Sequence, residues 1–215
     1  MNRLLMLLAA CLCTAAGRDG ERACADNMIR TVAVSGDFAP DAQGAVFRSF
    51  SSPQINNLGR VAFTAQQLGP GIDPPSAQND RITEFGVWSE GLGSGLELVA
   101  RGDDIAPGTD GKAFRRVFLR QFNDSGQVVI DGTVKGGSHE DQGLWILRSQ
   151  SQLELIVREN DPTPWINGAR FSETGAFGPH FNERGQVFCG MELHVIGNFF
   201  NTIVERSAKH AREHQ

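Results

Sequence analysis

The chain has 215 residues, 40 % of them hydrophobic, and a net charge of −5 from 25 Asp and Glu against 20 Lys and Arg. Such a composition excludes a disordered chain, and at this length about 70 % of the unfolded surface is buried on folding. The acidic balance, with no Lys/Arg cluster interleaved with aromatics, argues against nucleic acid as a partner, because phosphate binding needs a basic face.

Residues 1–25 read as a secretory signal. Arg3 supplies the positive start, Leu4 to Ala16 the apolar run, and small residues allow cleavage after Ala16 or after Ala25. The run is shorter than the ~20 residues of a spanning helix. A buried N-terminal helix is the structural alternative. Since no second apolar stretch of membrane length follows, no transmembrane span is expected after signal removal. Leu8-Ala9-Ala10-Cys11 is also similar to a lipobox, which makes lipidation at Cys11 an alternative reading. The expected location is secreted, periplasmic or cell-surface. Cys11 and Cys13 fall in the signal. Cleavage after Ala16 would leave Cys24 and Cys189 able to pair, and cleavage after Ala25 would leave Cys189 alone. Neither case makes a disulfide framework or a metal site.

Beyond the signal the chain repeats itself. A half-unit at residues 29–40 ends in Gly36-Asp37-Phe38-Ala39-Pro40. The phrase N-x-x-G-x-V then occurs three times, starting at Asn56, Asn123 and Asn182. An aromatic precedes each Asn by 9, 9 and 11 residues, at Phe47, Phe114 and Phe171. Gly86-Val87-Trp88 and Gly143-Leu144-Trp145 follow the first two copies, and after them come Leu96-Glu97-Leu98 and Leu153-Glu154-Leu155. Each copy closes on an acidic turn, at Gly102-Asp103-Asp104 or Asn160-Asp161-Pro162. Landmarks in constant order mean tandem structural units. The units lie near 47–108, 114–164 and 171–193, within one repeat domain spanning 29–193.

Each landmark has a local meaning. N-x-x-G suits a type I turn closed by a Gly at positive φ, and apolar residues flank it as in a β-hairpin. Val61, Phe63 and Ala65 alternate with period two, like one face of a strand. Gly-x-Trp and Leu-Glu-Leu are two more short strands, so one unit holds about four. The expected fold class is all-β, made of antiparallel four-stranded repeats. The first unit carries an extra loop-like segment from Gln67 to Asp80, and in repeat proteins such insertions map to one face, often the binding face. Residues 194–215 read as a helical tail, because Phe199, Phe200, Ile203 and Val204 fall on one side at helical spacing.

These features resemble a β-propeller with about three incomplete blades, fewer than the four or more blades typical of that fold. In propellers one terminus often completes the blade made by the other. Thr31 to Val34 are therefore candidates for the outer strand missing from the third unit. Open β edges make self-association an expectation. Asn56-Asn57-Leu58-Gly59-Arg60-Val61-Ala62-Phe63 is also similar to the phrase of bacterial secreted proteins with tandem N-x-x-G-x-x-A-F repeats. The second copy departs with Val129-Ile130 and the third with Phe188-Cys189. That resemblance implies a secreted or surface location and assigns no catalytic residues.

Chemical motifs are sparse. The sequence holds no G-x-S-x-G, no H-E-x-x-H, no P-loop and no dinucleotide fingerprint. His210 and His214 stand four apart but lack a third ligand, so they read as surface. Arg101-Gly102-Asp103 matches an adhesion tripeptide but belongs to the recurring turn. Asp103, Asp104 and Asp110 read as turn residues rather than a calcium loop, and Trp88 and Trp145 as core aromatics. No catalytic, cofactor-binding or metal residue is assigned, and no cofactor is expected. The leading functional expectation is a non-catalytic scaffold or binding module for an unknown protein or glycan. One alternative is an extracellular carbohydrate-active enzyme using Asp73, Asp80 and Glu84, whose catalytic carboxyls would stand ~5 to ~9.5 Å apart in a cleft. The other is a truncated repeat protein with no independent role.

Overall fold

The computed structural model describes residues 29–69, 84–91, 93, 95–136, 141–148, 153–195 and 198–206. Eleven strands account for the regular structure among them, in three antiparallel meanders. Sheet 1 has the order β1 (Val46–Ile55), β2 (Val61–Leu68), β3 (Phe85–Ser89) and β4 (Glu97–Arg101). Sheet 2 repeats it with β5 (Phe114–Phe122), β6 (Val128–Val134), β7 (Gln142–Leu147) and β8 (Leu153–Arg158). Sheet 3 has β9 (Arg170–Phe181), β10 (Val187–Val195) and β11 (Asn198–Arg206), with β10 in the middle.

Sheets 1 and 2 match down to single irregularities. Register shifts fall between Phe47 and Ser49 in β1 and between Phe114 and Arg116 in β5. Another falls between Val87 and Trp88 in β3 and between Leu144 and Trp145 in β7. Bulges kept at matching places re-aim the same side chains in each unit.

The sheets stack face to face. Val61, Phe63 and Ala65 of β2 pack with Phe47, Trp88 and the N-terminal Val32 and Ala33. Ala62, on the other face of the same strand, packs with Val128, Ile130 and Trp145 of sheet 2. Val129, Leu144 and Ile146 then meet Val187, Cys189 and Leu193 of sheet 3. The middle strands β2 and β6 of sheets 1 and 2 are thus buried on both faces, which explains the apolar runs Val61-Ala62-Phe63 and Val128-Val129-Ile130. The one buried hydroxyl in this stretch of β2, on Thr64, accepts a hydrogen bond from Leu119 N at 2.9 Å across the sheet boundary.

Gly-x-Trp is a packing device. A Cβ on Gly86 would lie 2.6 Å from Trp88 Cη2, and one on Gly143 would lie 2.7 Å from Trp145 Cη2. Only glycine lets each indole fold back over its own strand. The Trp88 ring meets Phe47 edge-on at 4.9 Å and 77°, and Trp145 meets Phe114 at 4.8 Å and 77°. Trp88 Nε1 donates to Pro40 O at 3.1 Å and Trp145 Nε1 to Pro107 O at 2.9 Å, so neither buried indole is left unpaired. Both tryptophans are core residues.

Two expectations are corrected. The C-terminal segment is not helical where it is described: β11 pairs with β10 along its whole length, from Val195↔Asn198 to Val187↔Arg206. Its Phe, Thr, Ile and Val residues suit a pleated strand, and pairing satisfies an edge of β10 that a helix would leave open. The third unit therefore continues past Leu193 into a third strand. Thr31 to Val34 form no strand and do not complete the third sheet. They pack against sheet 1, where Arg30 bonds Glu90 at 2.5 and 2.9 Å. The described residues show a stacked series of sheets without closure into a ring of blades.

Candidate functional site

Two rims gather the recurrent polar residues. At the first are the three N-x-x-G tips. Within each tip the Asn side chain caps the turn. Asn56 Oδ1 accepts from Leu58 N at 3.1 Å and Arg60 N at 3.0 Å. Asn182 Oδ1 accepts from Arg184 N at 3.0 Å and Gln186 N at 3.1 Å, and Asn123 Oδ1 from Gln127 N at 2.9 Å. Gly59, Gly126 and Gly185 take φ of 74°, 81° and 74°, the left-handed conformation that closes the turn.

The tips also bond one another. Asn56 Nδ2 donates to Asn123 O at 3.0 Å, and Asn123 Nδ2 donates to Asn182 O at 3.1 Å. The residue after each Asn extends the ladder. Asp124 Oδ1 accepts from Asn57 N at 2.7 Å, and Glu183 Oε2 accepts from Asp124 N at 2.8 Å. The hairpin explains N-x-x-G, but the ladder lies beyond sequence reading because its partners are 67 and 59 residues apart. One signal was present: the position after the Asn is acidic in the second and third copies, where it meets the preceding tip.

The opposite rim carries the acidic turns. Asp103 N donates to Phe114 O at 2.9 Å and Phe114 N to Asp104 O at 2.8 Å. The same pair of bonds joins Gly36 and Asp37 to Phe47, and Asn160 and Asp161 to Phe171. This hairpin sets the steady interval between each acidic turn and the next aromatic. Asp104 Oδ2 accepts from Arg101 N at 3.0 Å, while Asp103 pairs with Lys135. Burial raises the Asp104 pKa, against the opposing pull of Arg101. Asp103 and Asp110 hold positive φ, a conformation short polar side chains tolerate. Arg101 of the adhesion-like tripeptide is part-buried and donates to Ala42 O at 3.1 Å, so it is a structural residue of the turn.

Asp73, Asp80, His210, His214, Cys11 and Cys24 lie outside the described residues. Glu84 is fully buried beside Gln67, with Arg48 at 3.4 Å as its ion-pair partner. Cys189 is a buried free thiol whose pKa burial pushes up to about 11, which suppresses the reactive thiolate. Among the described residues no three His, Cys, Asp or Glu side chains form a metal-holding group, and no helix is long and apolar enough to cross a membrane.

The turn rim offers solvent large apolar side chains as well as carboxylates. Phe38, Ile105 and Trp165 are 77 %, 63 % and 54 % exposed. Each sits in the same loop of successive units, closed by the bridges Phe38↔Val46, Ile105↔Ala113 and Pro162↔Arg170. Exposed Asp37, Asp41, Asp103 and Asp110 surround the first two.

Residues 21–201 match a family of unknown function, DUF7453. The chain belongs to this family. No curated protein and no solved structure matches it. The family assignment spans all three units and names no activity.

Proposed function

We propose that the protein is a secreted or surface-associated, non-catalytic repeat scaffold that binds a protein partner through its turn rim. The row of Phe38, Ile105 and Trp165 carries this reading. Phe38 and Ile105 are left in water at equivalent loop positions, and Trp165 is exposed three residues beyond their counterpart Pro162 in the matching loop, a repeated cost that burial against a partner would offset. The acidic loops around them favour apolar side chains flanked by Lys or Arg in that partner. The recurrent polar residues of both rims are engaged in turns and in contacts between units, which suits a scaffold. A glycan ligand stacked on Trp165 is the competing binding mode.

Trp165 is itself the reporter, since Trp88 and Trp145 are buried. Binding of a basic, apolar protein partner should shift Trp165 emission, and Phe38→Ser with Ile105→Ser should weaken that binding about 10-fold or more with the melting temperature unchanged. A shift produced instead by a glycan panel would replace the protein partner with a sugar. Hydrolysis of any glycan in that panel, abolished by Glu84→Gln, would refute the non-catalytic reading.

A further inference from the structure

The geometry points to a buried ammonium site in the first unit, formed by Gln67 and Glu84 where the second unit inserts a lysine of its own. Gln67 and Glu84 are neighbours across β2 and the start of β3, joined by Gln67 N donating to Glu84 O at 2.8 Å. Both side chains are fully buried. Gln67 Oε1, Gln67 Nε2 and Glu84 Oε1 have no hydrogen-bond partner. Buried polar atoms are rarely left this way, because each orphan forfeits its hydration.

The second unit shows what the position requires. Val134 N donates to Asp141 O at 3.1 Å, which places Val134 and Asp141 as the counterparts of Gln67 and Glu84. Asp141 faces two cations, Lys112 Nζ at 2.8 Å and Arg158 Nε at 3.7 Å. Lys112 occupies the loop position of Ala45: Ala106 N donates to Lys112 O as Ala39 N donates to Ala45 O. The first unit has therefore exchanged a lysine for alanine and a valine for glutamine, and has kept the carboxylate. A Cβ on Gly69 would come within 2.7 Å of Ala45 Cα, so the residue just after β2 lies against the loop position that the lysine holds in the second unit.

Arg48 pairs with Glu84 Oε2 at 3.4 Å, and a free ammonium ion, which needs no stem, takes the lysine's place at Glu84 Oε1. Ammonium presents N–H donors to Glu84 Oε1 and Gln67 Oε1, as the Lys112 ammonium does to Asp141; being donor-only, it pairs these two oxygens and not Gln67 Nε2. A water molecule would satisfy Gln67 but would leave the carboxylate to Arg48, whose side chain is part-exposed.

The test is thermal unfolding of the full chain in ammonium chloride against sodium and potassium chloride at equal ionic strength. Ammonium at about five times its dissociation constant should raise Tm by about 2–4 °C above the other salts. Glu84→Gln should remove that difference. Gln67→Val, which installs the second unit's residue and removes the orphan amide, should fold at least as stably and should also lose the response. It keeps the test decisive if Glu84→Gln fails to fold. A slowly exchanging signal from bound 15N-ammonium should appear in the wild type alone. Equal stabilisation by potassium or sodium, a response that survives in Gln67→Val, or no bound 15N-ammonium signal would overturn the site.

Discussion

Asn123 uses both ends of one amide. Its Oδ1 caps its own turn through Gln127 N, and its Nδ2 reaches Asn182 O in the next unit. The two roles can be separated. Asn123→Asp keeps the turn acceptor but loses the donor and faces a carboxylate toward a carbonyl. We expect urea unfolding to show a loss of about 1–3 kcal/mol, the cost of an unmade buried hydrogen bond. Asn182→Asp, at the exposed end of the ladder, should change stability within about 0.5 kcal/mol. Equal losses at both positions would mean that the ladder adds nothing to the turns.

Glu90 is held in its charged form by its neighbours. Burial opposes its charge, but the hydrogen bonds from Arg30 and Val61 N and the charges of Arg30 and Arg60 outweigh that penalty and lower its pKa. An acid whose folded pKa is depressed contributes stability that is present above its unfolded value of 4.5 and is lost as pH falls through the lower folded value. Arg30→Ala should raise the Glu90 pKa in a carboxyl NMR titration. Its stability cost near neutral pH should stay within about 1 kcal/mol, because the Arg30 side chain is half exposed and solvent screens the pair.

At the scale of elements, the third strand of each complete sheet depends on a glycine two residues before its tryptophan. Gly143→Ala would drive a methyl to 2.7 Å from the Trp145 ring, which is held by Phe114 and by Pro107 O. Overpacking of this kind should cost about 1–3 kcal/mol in chemical denaturation. Gly95→Ala, with open space around it, should remain within about 0.5 kcal/mol. The hairpin tips and most strands were legible because their signals are local. Asn and Gly fix the turn, and period-two alternation fixes the face. The β11 segment is locally ambiguous, because Phe199, Phe200, Ile203 and Val204 satisfy a helical spacing as well as strand propensity. The unpaired edge of β10 decides between them, and that edge is not visible in the segment itself.

For the whole molecule, stacking leaves sheets with open edges. A chain ending at Val195 would remove β11 and expose the edge of β10 along nine paired positions. It should form higher oligomers by light scattering at concentrations where the full chain does not. An unchanged oligomeric state would mean that β10 needs no cover.

The sequence by itself determined the antiparallel all-β class, the turn chemistry of N-x-x-G and the core position of the tryptophans. Each follows from short-range rules of turn geometry, alternation and side-chain size. Only the tertiary structure decided how the units meet. It made β2 and β6 two-sided, carried the Asn side chains from one tip to the next, and brought Gln67 against Glu84 without the lysine that serves the second unit. Those contacts join residues far apart in the chain, where the physics of one segment says nothing about its neighbour until packing brings the two together.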